Sequence, residues 1–158
     1  MAAHKALSHK AVRFDERGVR PMGRTAAGVK GMNVDDSEVI GMCTDQEGQK
    51  ILVVSKKGYG KQSNLDEYRL TSRGAKGVKT ININEKNGDL VALKAVSGSE
   101  DAMIMTSDGI MIRIHLDKVS TMGRATQGVR LMKPQEGAEV STVSIMPHQE
   151  ESTEEGNE

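Results

Sequence analysis

Tryptophan is absent from this 158-residue chain, and it has only one Phe and two Tyr. Core volume must therefore come from Val, Ile, Leu and ten Met, which fill irregular gaps well. Proline is scarce at three residues, while glycine is abundant at 17. Many turns with few prolines fit a protein of short strands. The single Cys43 excludes an internal disulfide and fits a reducing compartment. No run of about 18 apolar residues occurs, so no helical membrane span is expected. No charged-then-apolar leader opens the chain, so no export signal is expected. Phosphate-cradling and dinucleotide-binding glycine loops are also missing. None of His4, His9, His115 and His148 has a Cys, Asp or second His at a recognised metal spacing.

The formal net charge of zero conceals a split. From Pro134 to Glu158 there are seven acidic residues and no Lys or Arg. The first 133 residues hold 22 basic against 15 acidic residues, a net of +7. A basic body suits a polyanion partner, although charged faces can also be merely solvated.

What the chain does contain is a repeat. Gly23-Arg24-Thr25-Ala26-Ala27-Gly28-Val29-Lys30 recurs as Ser72-Arg73-Gly74-Ala75-Lys76-Gly77-Val78-Lys79. It recurs again as Gly123-Arg124-Ala125-Thr126-Gln127-Gly128-Val129-Arg130. Five residues before each arginine stand Val19, Tyr68 and Val119, a shared slot that reads as core. That slot argues against Tyr68 as a nucleophile, and Tyr59 has no base partner nearby in sequence. Gly58 and Gly109 stand 15 residues before the second and third arginines, each in a hairpin-like turn between apolar runs. Apolar runs at 39–42, 90–93 and 140–145 follow each Gly-Val. No segment carries a sustained helical stripe. Each unit thus reads as about four strands in about 50 residues, the size of a propeller blade. The fold class is all-β, with blades at about 1–48, 49–99 and 100–146 and an acidic, disordered tail at 147–158. The first unit reads as incomplete, with His9 where the others have Gly and no convincing inner strand in Met1-Ala2-Ala3.

No catalytic cluster emerges, so the basic residues are the candidate site. Arg24, Arg73 and Arg124 share one frame position, and Lys30, Lys79 and Arg130 share another. Arg13, Arg20, Lys56, Lys57, Lys61, Arg69, Lys76, Arg113 and Lys118 add to them. If strands alternate faces, the Val before each base points inward and the base outward. Repeated round an array, such positions would form a positive band for a phosphate backbone. The repeated Arg can alternatively tie one blade to the next. Met32, Ile81 and Met132 share parity with the outward bases, which demands a twist or a bulge.

Gly58-Tyr59-Gly60-Lys61, Glu67-Tyr68-Arg69 and Ser72-Arg73-Gly74-Ala75-Lys76-Gly77-Val78 resemble the C-terminal domain of DNA gyrase A. So do Val12-Arg13-Phe14 with Gly23-Arg24, and Gly123-Arg124 through Gly128-Val129-Arg130. The match runs from about Lys10 to Met146. The resemblance implies a β-pinwheel, a propeller-like ring whose neighbouring blades exchange strands, here an incomplete ring of about three blades. It implies a non-catalytic, DNA-wrapping part of an ATP-dependent type II topoisomerase that introduces negative supercoils. Its partners would be duplex DNA, the rest of gyrase A and the gyrase B protein, in an A2B2 enzyme of the cytoplasm and nucleoid. No cofactor is expected in this part, because ATP and Mg2+ would bind elsewhere in the parent. The family's Gln-Arg-Arg-Gly-x-x-Gly box is absent from this chain. The alternatives are the corresponding C-terminal domain of topoisomerase IV and a propeller-like scaffold that binds protein. Low aromatic content argues against the scaffold, since protein hot spots favour Trp and Tyr.

Overall fold

The computed structural model describes residues 2–5, by backbone alone, and 9–149. In chain order the strands are β1 (Ala2–Lys5), β2 (Lys10–Val12), β3 (Glu38–Met42), β4 (Lys50–Ser55), β5 (Tyr59–Asn64), β6 (Val78–Lys79), β7 (Leu90–Val96), β8 (Asp101–Thr106), β9 (Met111–His115), β10 (Val129–Arg130) and β11 (Val140–Met146). They form three antiparallel sheets, ordered β3-β1-β2-β6, β7-β4-β5-β10 and β11-β8-β9. No helix among the described residues is long and apolar enough to cross a membrane. That observation does not bear on β-barrels.

The expected hairpins are present. Ser55 to Tyr59 turns β4 into β5, with Gly58 N–H donating to Ser55 C=O at 3.0 Å. Gly109 closes the β8–β9 turn in the same way. The apolar runs expected after each Gly-Val form β3, β7 and β11, the first strand of each sheet order. β7 packs against both β3 and β11, so these strands line the inner side of the array.

The central sheet is covered on both faces. On β4, Ile51 and Val53 point into a core shared with the first sheet, and Leu52 and Val54 into one shared with the third. A strand buried on both faces must read as an unbroken apolar run, and Ile51-Leu52-Val53-Val54 does. Each such side chain contributes about 1.5–3 kcal/mol relative to exposure.

Two features differ from the sequence reading. The first unit does possess its second strand: β1 pairs with both β2 and β3. Small Ala2 and Ala3 give no apolar signal, yet ladder pairing needs only backbone. Val19, expected in the core beside Tyr68 and Val119, is 38% exposed. Tyr68 sits between the first and second sheets and Val119 between the second and third. Val19 has no further sheet to pack against among the described residues. The acidic tail from residue 150 onward lies outside the described residues.

The fourth strand of each complete sheet comes from the following repeat. β6 carries Val78-Lys79 of the second repeat and pairs with β2 of the first sheet. β10 carries Val129-Arg130 of the third and pairs with β5 of the second. These strands are two residues long, so inside–outside alternation stops at the base. Thr80 N–H then bonds His9 C=O at 2.9 Å, and the chain turns to bury Ile81. The parity conflict at Met32, Ile81 and Met132 is resolved by this early end rather than by a bulge.

Strand exchange also explains a polar strand with a buried pattern. Lys61, Gln62 and Ser63 of β5 are all buried. The exchanged segment of the third repeat covers them and supplies carbonyls. Gln62 Nε2 donates to Leu116 and Val119 C=O at 2.8 and 2.9 Å, and Ser63 Oγ to Met122 C=O at 2.9 Å.

Candidate nucleic-acid interface

β6 and β10 are the outermost strands of their sheets, and the repeat loops run along this outer rim. The loops stack on one another. Asn33 N–H bonds Ala75 C=O at 3.0 Å, and Asn82 N–H bonds Thr126 C=O at 2.9 Å. Three stretches meet here: 17–34, 68–84 and 118–135. Each holds four Lys or Arg and no Asp or Glu.

The repeated arginine proves to be the inter-repeat tie. Arg73 donates to Gly18 C=O at 2.8 Å and to Lys30 C=O at 3.2 Å. Arg124 donates to Glu67 C=O at 3.2 Å and to Lys79 C=O. Gly18 and Glu67 stand six residues before their own repeat's arginine, and Lys30 and Lys79 six after it. The same guanidinium fork therefore grips the same two carbonyls of the preceding repeat each time. The tie also sets Lys30 beside Arg73 and Lys79 beside Arg124. Arg73 remains exposed and Arg124 half-buried, so the tie leaves cationic surface on the rim.

The remaining candidates separate by environment. Arg20, Arg24, Lys30, Arg69, Lys76, Lys79 and Lys118 are exposed, and their side chains have no hydrogen-bond or ion-pair partner among the described residues. Arg130 is exposed and lies 5.3 Å from the Tyr59 ring, to whose hydroxyl it donates. Lys57 reaches Glu85 C=O, and Lys56 pairs with Glu139 at 3.3 Å. Half-buried Arg13 donates to Leu65 and Tyr68 C=O. Arg113 is held by Asp101, with Nε to Oδ2 at 2.7 Å.

Lys61 is a correction, because it has no exposed surface. Its ammonium donates to Gly123 C=O at 2.6 Å and Arg124 C=O at 2.5 Å, beneath the exchanged segment. Burial first, and then the nearby Arg124 charge, lower its pKa to about 8 against the pull of Glu67. The unfolded chain, with Lys near its ordinary 10.5, binds more protons between those values. Stability should therefore rise with pH from about 8 to about 10.5. Thermal melts across this range should show the native chain gaining on Lys61→Met. A gap that stays constant with pH would sink the assignment.

Lys133 is exposed on the rim and was missed, because its counterparts Asn33 and Asn82 are not basic. The acid-free stretches are the signal that finds it. Tyr68 is fully buried, its hydroxyl paired with Thr80 Oγ1, and burial pushes its pKa up to about 12.

The structure also gathers Asp101, His115 and His148, whose ligand atoms lie within 4.8 Å of one another. Such a group could hold a metal ion. Both His Nδ1 atoms meet Asp101 Oδ1, at 2.9 and 2.7 Å, and Arg113 occupies Oδ2. Burial opposes ionisation of Asp101, but hydrogen bonds from His148, Arg113 and His115 outweigh it and hold the carboxyl at about 2.

Residues 10–42, 49–97 and 100–145 match a family described as DNA gyrase C-terminal domain, beta-propeller. The chain belongs to that family. The matched stretches take in the rim and every strand of the three sheets except β1 and the last residue of β11. The DNA gyrase A protein of Staphylococcus epidermidis is 44% identical over 153 residues, 95% of this chain and 17% of that protein. The Ureaplasma parvum gyrase A protein is 42% identical over 141 residues, 89% of this chain and again 17% of the relative. The chain thus spans about a sixth of the length of the curated relatives it matches. A solved gyrase A C-terminal domain superposes with a TM-score of 0.77 at 26% identity, over 91% of this chain and 49% of that one. The C-terminal domain of a DNA topoisomerase IV superposes as well, with a TM-score of 0.78 at 22% identity, which speaks for the fold alone. Sequence identity therefore favours the gyrase reading over the topoisomerase IV alternative.

Proposed function

We propose that this chain binds duplex DNA along its outer rim, as a non-catalytic, DNA-wrapping part of a gyrase A protein. The observation that carries the reading is the rim itself, where three stacked repeat loops hold twelve Lys and Arg, against the carboxylates of Asp15, on Arg17, and Glu67, on the Arg124 amide. Phosphates are the groups such a surface recognises. Side chains that read base edges are few there, so contacts to the backbone outweigh sequence recognition. The stacked loops place the bases along a row, which suits a duplex bent round the rim. Bending 20–30 base pairs by 40–90° costs about 1–6 kcal/mol, so phosphate contacts must be made along the whole arc. Cleavage, ATP hydrolysis and Mg2+ binding belong to other parts of the parent enzyme, as do the contacts with gyrase B. A cytoplasmic, nucleoid-associated location follows from the same reading.

Duplex binding across a salt series tests it. If about six bases meet phosphates, log K should fall against log salt with a slope near −5. A slope near zero, or no binding at low salt, would reject the DNA role.

A further inference from the structure

Three side chains far apart in sequence meet at one corner of the third sheet. Asp101 opens β8, His115 closes β9, and His148 follows β11 by two residues. The antiparallel register sets Asp101 opposite both His115 and Met146, which brings the three together. We propose that Asp101, His115 and His148 form a binding site for Zn2+, which ties the residues after β11 to the third sheet.

The donor set fits that ion. The three ligand atoms lie within 4.8 Å of one another. Two imidazoles and a carboxylate suit zinc, whereas magnesium prefers oxygen ligands alone. Both Nδ1 atoms converge on Asp101 Oδ1, at 2.9 Å from His115 and 2.7 Å from His148. Ligand atoms on a tetrahedral zinc stand about 3.3 Å apart, given bonds of about 2.0–2.1 Å. Each ring must therefore back away by about half an ångström and tilt out of the stack, whose centroids are 3.8 Å apart. His148 has room to do so, with its side chain 38% exposed.

The surroundings support the same role. Arg113 holds Asp101 Oδ2 at 2.6 Å, which leaves Oδ1 as the metal-facing oxygen. Arg113 also donates to Pro147 C=O at 3.4 Å and so positions His148. His115 Nδ1 lies 3.0 Å from Glu100 C=O as well. That carbonyl keeps the Leu116 N–H, at 2.9 Å, when Nδ1 turns to the metal. The proton of neutral His115 then sits on Nε2, and Asp117 Oδ2 stands 3.6 Å from that atom. A carboxylate beside the far nitrogen orients a metal-bound imidazole and raises its basicity. Three protein ligands leave a fourth position for water.

The second sheet shows that the fold itself does not require this cluster. There the matching register position is Lys50, opposite Asn64 and Val96, and Gly98 follows Val96 by two residues. A Cβ on Gly98 would lie 3.1 Å from Lys50 Nζ, so the corner has the same shape without the ligands. A corner that closes with lysine, asparagine and glycine needs no pair of histidines round a buried carboxylate in order to fold.

The test needs no DNA, so its failure would leave the DNA-binding reading untouched. Equilibrium dialysis of the full chain, first stripped with a chelator, should give one Zn2+ per chain at micromolar free metal, and no uptake of Mg2+ at the same concentrations. His115→Ala and His148→Ala should each weaken Zn2+ binding by at least about tenfold, the low end for loss of even an outer-shell partner. His4→Ala, on β1 of the first sheet, should leave it unchanged. Saturating Zn2+ should raise the melting temperature of the native chain but not that of His148→Ala, because a metal held only by the folded state stabilises it. No uptake at micromolar Zn2+ overturns the proposal. So does uptake that survives both His115→Ala and His148→Ala, or that His4→Ala abolishes.

Discussion

Gly77→Ala should destabilise the chain by at least about 2 kcal/mol, since a non-glycine residue at positive φ costs about 1–3 kcal/mol before any clash. Here a clash is added. The new methyl would meet Ala11 C=O at 2.4 Å and its carbonyl carbon at 2.8 Å, both backbone atoms of the first sheet. Backbone in a ladder cannot yield as a flexible side-chain tip can, so β6 would lift away from β2. Losing β6 would also uncover Ile81 and the Tyr68–Thr80 pair beneath it. Gly28→Ala is the internal control, with the same backbone at φ +85° and nothing within 4 Å. It should cost only the conformational strain, about 1 kcal/mol. Chemical denaturation of the two variants measures the difference. Equal losses would mean that close backbone approach, and with it the exchanged strand, contributes nothing.

Lys79→Ala combined with Arg130→Ala should weaken DNA binding without loosening the fold. Both side chains are exposed at the ends of the exchanged strands, while their backbones carry the pairing. Alanine keeps that backbone and removes two phosphate contacts, so the salt slope should shrink by about 1.8. Binding should fall alike on all duplex sequences, because the lost contacts read no bases. The melting temperature should fall only slightly, because Lys79 has no side-chain partner and the exposed Arg130–Tyr59 contact contributes about 0.5–1 kcal/mol. Arg124→Ala makes the contrast, losing the tie to Glu67 and Lys79 C=O and lowering stability as well. A double variant that melts early yet keeps the full salt slope would place these bases in the scaffold and move the DNA surface elsewhere.

The repeat carried most of the fold. Arginines 49 and 51 residues apart, glycines at the turns and apolar runs at matching offsets determine three similar units of short strands. Those signals are local, because turn chemistry and apolar alternation act within a few residues. Which repeat completes which sheet is not local. A two-residue strand such as Val78-Lys79 has no pattern of its own, and only its pairing with Lys10 and Ala11 gives it a place.

The same limit divides the basic residues. Their number, their spacing and the scarcity of acidic residues between them are all in the sequence. What each one faces is not. Lys61 reads like the other bases, but the exchanged segment of the next repeat covers it and takes its ammonium on two carbonyls. Arg73 and Arg124 read like phosphate contacts, yet each spends its fork on the preceding repeat. A charge near a carbonyl and a charge near water look alike in one dimension. Stacking of the repeats decided between them, because it alone determines which polar groups lose their water and must be satisfied by the chain.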